Sequence, residues 1–199
     1  MTVAEASIPI DVVALSSLND DRYQDLRDAV MQRLGEFDCS RSTHLQNFAR
    51  GEVHRREAHG HSRTYVMITP EGSEGIDVAA FFTVGMASLD LTKASRSQKN
   101  KLSGEFSMDQ TGAYSIAELA RSDRYSAASL PGPVILRHAL SVIESARSLV
   151  AGRFVVVDSQ RPVFESLYAP AGFKELSVAP SPRGMEDKQF LTSCCVLRD

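Results

Sequence analysis

RFVVVDSQRPVFESLYAPAGF, residues 153–173, is the stretch in which most local signals agree. A β-branched run from Phe154 to Val157 stops at Asp158, the pattern of a short buried strand. Pro162 marks a loop. One short helix follows, carrying Tyr168 five residues before Phe173, and Ala171-Gly172 closes it. The segment therefore reads as strand, loop, helix, glycine stop and the start of another strand.

Upstream of it, Val134, Ile135, Leu136, Ala139, Leu140, Ile143, Ala146, Leu149 and Val150 cover a broad apolar face, so 134–150 is a helix that Gly152 ends. Before that lie a loop, 121–133, and a strand, Ser115 to Ala120. Strand, loop, helix and the apolar RFVVVDS strand make a crossover unit, which favours parallel pairing of the two strands. Further upstream, Arg63–Thr69 alternates as a strand, 70–75 is a turn and Ile76–Leu91 is a second strand, expected to pair as a hairpin. Two helices precede it: about 20–34, with Leu26, Ala29, Val30 and Leu34 on one face, and about 42–60, capped at Ser42 or Thr43 with Leu45, Phe48, Ala49 and Val53 on its face. Residues 1–18 read as an extended segment or flexible leader. Residues 92–112, polar and Ser/Lys-rich, read as a mobile loop or an irregular connection. Downstream, 174–178 is a short strand, 180–184 a turn and 189–197 a closing strand. The whole is α/β (α+β), one mixed sheet with helices on both faces, expected as a single domain over 1–199.

The composition agrees. With 199 residues and 43% hydrophobic content the chain can bury a full core. A net charge of −3, from 22 basic and 25 acidic residues, argues against a dedicated nucleic-acid binder and leaves room for a local basic patch. Cys39, Cys194 and Cys195 give neither a disulfide framework nor zinc spacing. Together with the lack of an apolar run of spanning length or a signal sequence at the start, they predict a reduced, cytoplasmic setting, no membrane contact and no metal.

At this point the chain resembles the GNAT superfamily of acyl-CoA-dependent N-acyltransferases. The resemblance is carried by FDCSRSTHLQNFARGEVHRREA, the hairpin SRTYVMIT with FFTVGMASLDL, SIAELARSDRY, the 134–150 helix and RFVVVDS…LYAPAGF, from about residue 37 to the end. It is nearest in layout to the toxin-like, phage-type branch, where LYAPAGF stands in place of a Phe-Tyr-x-x-x-Gly-Phe element. The resemblance implies a mixed, splayed sheet and transfer of acetyl from acetyl-CoA, the cosubstrate, to a primary amine attacking directly in a ternary complex. The acceptor would be an amine-bearing small molecule, a peptide or an aminoacyl-tRNA, and a homodimer is compatible with it.

The roles it implies are specific. Tyr168 would protonate the departing thiolate, since a phenol titrating near 10 stays protonated at neutral pH. Glu118 would act as general base through a water; the plainer reading is a solvated strand carboxylate. The backbone of Leu119, Ala120 and Arg121 would pair with the pantetheine arm, and Arg121 and Arg124 would meet phosphates or else be solvated loop cations. The loop from Ser126 to Val134, with Ser129, Leu130, Gly132 and Val134, would hold the pyrophosphate on free N–H groups at the positive end of the helix. That loop departs from the superfamily's Arg/Gln-x-x-Gly-x-Gly/Ala pattern. It has one glycine, Gly132, and Pro131 and Pro133 each remove a donor. A GNAT-like binding or regulatory module that no longer holds CoA therefore stays open as an alternative.

Other residues read more simply. His59 and His61 lack a third ligand, and His138 reads as surface or helix packing. Arg55, Arg56, Arg63, Lys93, Lys99 and Lys101 form either a patch for an anionic acceptor or a solvated face. Cys194 and Cys195 read as small buried hydrophobes.

Overall fold

A computed structural model describes the chain except for residues 1–4, 73–74, 93–94, 104–105, 107, 180, 182, 184 and 198–199, and gives only the backbone of 98, 101, 103 and 177–179. Most of the expected 180–184 turn, Lys93 and the Lys101 side chain thus lie outside the described residues. In chain order the elements are β1 (Asp11–Ala14), α1 (Gln24–Gly35), α2 (Thr43–Asn47), α3 (Val53–Ala58), β2 (Ser62–Glu71), β3 (Gly75–Asp90), α4 (Arg96–Ser103), β4 (Gln110–Arg121), α5 (Gly132–Val150), β5 (Phe154–Gln160), β6 (Lys174–Ala179) and β7 (Phe190–Val196). The strands form one seven-stranded mixed sheet in the order β1-β2-β3-β4-β5-β7-β6.

The backbone divides into two compact units, Met1–Gly85 with Ala117–Glu144, and Met86–Ile116 with Ser145–Asp199. In the first, β2 and β3 form the expected antiparallel hairpin, with a bulge where Met67 faces Ala80 and Ile68 faces Val78. The core gathers Leu18, Val30, Leu34, Phe37, Phe48, Val53, Val66 and Phe81. Phe81 meets Phe37 edge-on at 5.2 Å and stacks on Phe48 at 5.8 Å. Each buried aromatic of this kind contributes roughly 1.5–3 kcal/mol. Phe48 and Val53, five residues apart, are both buried because Phe48–Glu52 is a π turn, which the Val53 N–H closes on the Phe48 carbonyl.

The second unit contains the β4–β5 parallel pairing, Tyr114↔Val155 and Ser115↔Val156. β7 is antiparallel to β5 on one side and to β6 on the other. Leu89, Leu91, Leu102, Ala113, Phe154, Val156 and Cys194 form its core. The turn from α5 into β5 is unusual: Ala151 and Gly152 both have positive φ, and the Tyr114 hydroxyl donates to the Ala151 carbonyl at 2.6 Å.

Residues 11–14, within the segment read as extended or as a flexible leader, are extended and pair with β2 from Asp11↔Ile68 to Ala14↔Tyr65. One expectation is corrected. Within 92–112, read as a mobile loop or an irregular connection, Arg96–Ser103 is helical and β4 already starts at Gln110. Among its described side chains Leu102 is the buried one, so the helix has no apolar stripe to read.

Candidate functional site

In the first unit, Glu118 and Ala120 lie two apart on β4 and so share a strand face. Ala120 packs into the core, and Glu118 meets His44. The His44 Nε2 to Glu118 Oε1 distance is 3.0 Å, with side-chain exposures of 10% for Glu118 and 36% for His44. A solvated strand carboxylate does not describe Glu118. His44 is the second residue of α2, whose start is fixed by the Ser42 hydroxyl accepting the Leu45 N–H. The hydrogen bond from Glu118 raises the His44 pKa above its ordinary value, against partial burial and the charge of Arg56.

The loop after β4 is clamped at three points. Ser122 N–H donates to the Ala79 carbonyl, Asp123 N–H to the Asp38 carbonyl, and the Asp123 carboxylate accepts the Ser40 N–H at 2.6 Å. That last bond holds the Asp123 carboxyl below its usual range. Asp77, 6% exposed, takes the Tyr125 hydroxyl at 2.8 Å and Arg124 at 3.3 Å. Burial and Asp77 together push the Tyr125 phenol well up. Arg124 also pairs with Glu71 at 3.7 Å, so its guanidinium is engaged by carboxylates. Arg121 donates to the Leu130 carbonyl at 2.8 Å, while its buried Nε has no partner among the described residues. Burial lowers its pKa, and Arg41, which bonds the Arg121 carbonyl, adds to this. An Asp77→Ala variant takes the acceptor from the buried end of the Tyr125 hydroxyl and removes one of the two carboxylates on Arg124. It should cost about 2 kcal/mol and lower Tm by about 4–8 °C in a thermal melt; an unchanged melt would mean that the cluster does not hold the loop.

The turn that leads into α5 uses three of its own donors. Ser129 N–H goes to the Ser126 hydroxyl, Leu130 N–H to the Ser126 carbonyl and Val134 N–H to the Pro131 carbonyl. Pro131 and Pro133 have none. The N–H groups of Ser126, Ala127, Ala128 and Gly132 are not used within the chain, among the described residues. Of the residues expected at a pyrophosphate, then, Gly132 offers an N–H and the start of α5 offers its dipole.

In the second unit, Tyr168 ends a π turn, Phe164–Tyr168, closed by Ala169 N–H on the Phe164 carbonyl at 2.8 Å. Its ring is 4% exposed and meets Phe173 edge-on at 5.4 Å. Its carbonyl receives the N–H groups of Ala171 and Phe173, which fixes the turn into β6. Gly172, at φ +93, supplies the conformation that turn needs.

Arg55 pairs with Glu52, Arg63 with Glu57 and Lys99 with Asp109. His59 and His61 lie 6.2 Å apart, ring to ring, and among the described residues no cluster could hold a metal. Cys194 is buried, and its thiol is pushed up to about 11. His138 is half-buried, which lowers its pKa. Among the described residues no helix is long and apolar enough to cross a membrane. The His44–Glu118 pair and the Asp77 cluster escaped the sequence reading, since 74 and 48 residues separate their partners and no local spacing encodes either.

No family model matches the sequence, and no curated protein matches it. Solved structures do match in fold. A crystal structure titled as a bacterial toxin superposes with a TM-score of 0.68 at 13% identity, covering 95% of this chain and 91% of that one. The protein AtaT complexed with acetyl-methionyl-tRNAfMet gives 0.63 at 18% identity, covering 92% and 94%. A tyrosine-to-phenylalanine variant of the AtaT toxin, bound to acetyl-CoA and to the C-terminus of the antitoxin AtaR, gives 0.62 at 14%, covering 94% and 92%. The chain shares the fold of these structures, the GNAT-like mixed α/β fold that the sequence pointed to.

Proposed function

We propose that this chain transfers the acetyl group of acetyl-CoA to the primary amine of an aminoacyl-tRNA, acting as a toxin-type N-acetyltransferase in the cytoplasm. The observation that carries the reading is Tyr168. It is a buried tyrosine at the end of a π turn inside LYAPAGF, in a fold shared with a toxin solved as a tyrosine-to-phenylalanine variant with acetyl-CoA. The bound product in the AtaT complex supports the choice of acceptor.

In this reaction the amine nitrogen bonds to the thioester carbon and the C–S bond breaks. Tyr168 gives its proton to the sulfur, and the proton lost by the amine goes to the Glu118–His44 pair. Backbone N–H groups at Leu119–Arg121 polarise the carbonyl, and the same strand edge lies along the pantetheine arm. The pyrophosphate takes the Gly132 N–H and the start of α5, with Ser129, Leu130 and Val134 shaping the turn.

A second reading is favoured by that turn: a GNAT-like binding module without CoA, because Pro131 and Pro133 carry no N–H and those of Ser129, Leu130 and Val134 are already bonded within the chain. Thermal shift separates the two. Acetyl-CoA at a hundred times its Kd stabilises by about 2.7 kcal/mol, so a clear rise in Tm is expected. No shift at millimolar acetyl-CoA would overturn the transferase and leave the module.

A further inference from the structure

We infer that His44 is the group that takes the proton from the acceptor amine, and that Glu118 is the positioning residue that aims and charges it. This rests on the acetyl-transfer reading and divides the work within the pair.

The distribution of exposure is the first reason. A general base has to reach its substrate and return its proton to solvent. The Glu118 side chain is 10% exposed and its carboxylate is turned to His44, whereas His44 is 36% exposed. Donor chemistry is the second. An ionised carboxylate only accepts, so the 3.0 Å contact places a proton on Nε2. In neutral imidazole the lone pair is then on Nδ1. Nδ1 has no partner among the described residues. A buried carboxylate holding one imidazole N–H while the other nitrogen works is the general logic by which hydrolases orient a histidine base.

Rigidity is the third reason. His44 stands on a helix fixed at one end by Ser42 and followed by the π turn that seats Phe48 in the core. The charged groups that bear on it are Glu118 from β4 and Arg56 from α3, which lies over the Phe48 ring. Glu118 outweighs Arg56, so the imidazole pKa lies above its ordinary value.

The proton balance closes. The amine proton passes to Nδ1 as the N–C bond forms, the imidazolium keeps its Nε2–H on Glu118 and then releases the new proton to solvent, and the Tyr168 phenolate regains from solvent the proton it gave to sulfur. No other reactant is needed.

The test is kcat/KM against pH for the full chain with acetyl-CoA and methionyl-tRNA. Ionisation of the acceptor amine is common to all variants, so only differences between them count. Glu118→Gln keeps an oxygen for the Nε2–H. It should retain activity within about tenfold at high pH and move its acid limb to lower pH. His44→Gln should lose about 10²–10³-fold throughout and lose that limb. If Glu118→Gln is as inactive as His44→Gln at every pH, or more so, Glu118 is the base and the inference fails. A second measurement needs no substrate. Nitrogen NMR of His44 should show the Nε2–H tautomer when neutral and a pKa that falls in Glu118→Gln; an Nδ1–H tautomer would overturn the inference. Absence of transfer by the wild-type chain would count against the acetyl-transfer reading instead, and against this inference with it.

Discussion

Replacing Tyr168 with phenylalanine is expected to lower acetyl transfer about 10²–10⁴-fold, the range for loss of a positioned general acid. The phenyl ring fills the same buried place against Phe173, so packing survives. Loss of one buried hydroxyl should cost only about 1 kcal/mol, a Tm change of about 2–4 °C. The separation between these numbers is the point of the experiment. Transfer to methionyl-tRNA, measured beside a thermal melt, distinguishes a missing proton donor from a damaged core. Expression of the wild-type chain should arrest growth, and the variant should relieve the arrest. A Tyr168→Phe variant that acetylates at the wild-type rate would remove Tyr168 from the chemistry.

Gly152→Ala is expected to have the largest effect on stability. Gly152 sits at φ +135, and a Cβ there would lie 2.3 Å from Cε2 and 3.1 Å from Cζ of Tyr114. The ring cannot swing clear cheaply, because its hydroxyl is bonded to the Ala151 carbonyl one residue away and the side chain is buried. Backbone strain and overpacking together should cost about 2–5 kcal/mol, seen as a Tm lower by about 4–20 °C. A second substitution, Tyr114→Leu, removes the obstructing ring and should return part of the loss when added to Gly152→Ala. If Gly152→Ala melts like the wild type, the close approach does not constrain the turn.

What could be read from sequence follows from how far apart the cooperating residues are. The β2–β3 hairpin, α5, β5 and the Tyr168 turn announce themselves because their signals are local: alternation, a helical stripe, a β-branched run, a glycine stop. Helix α4 buries only Leu102 of its described side chains and gives no stripe. Glu118 and Tyr168 were nameable from residue type within recognisable segments. Their surroundings were not: the imidazole that meets Glu118 comes from a helix 74 residues away. Asp77 was hidden inside GIDVAAFF, where it reads as one polar residue in an apolar strand. The shortage of glycines before α5 was visible in the sequence. That Ser126 already absorbs two of the remaining amides was visible only in three dimensions.

The π turn at Phe164–Tyr168 carries one residue more than an α-helical turn would, and this makes segment length a functional variable in its own right. Deleting a single residue between Phe164 and Tyr168 would let the backbone relax to the ordinary helical repeat, in which each residue advances about 100°. The tyrosine would then leave its position against Phe173 with its own chemistry untouched. The segment should therefore accept many exchanges of side chain but no change in residue count, so that a surviving Tyr is a weaker mark of activity in a homologous sequence than the spacing that delivers it.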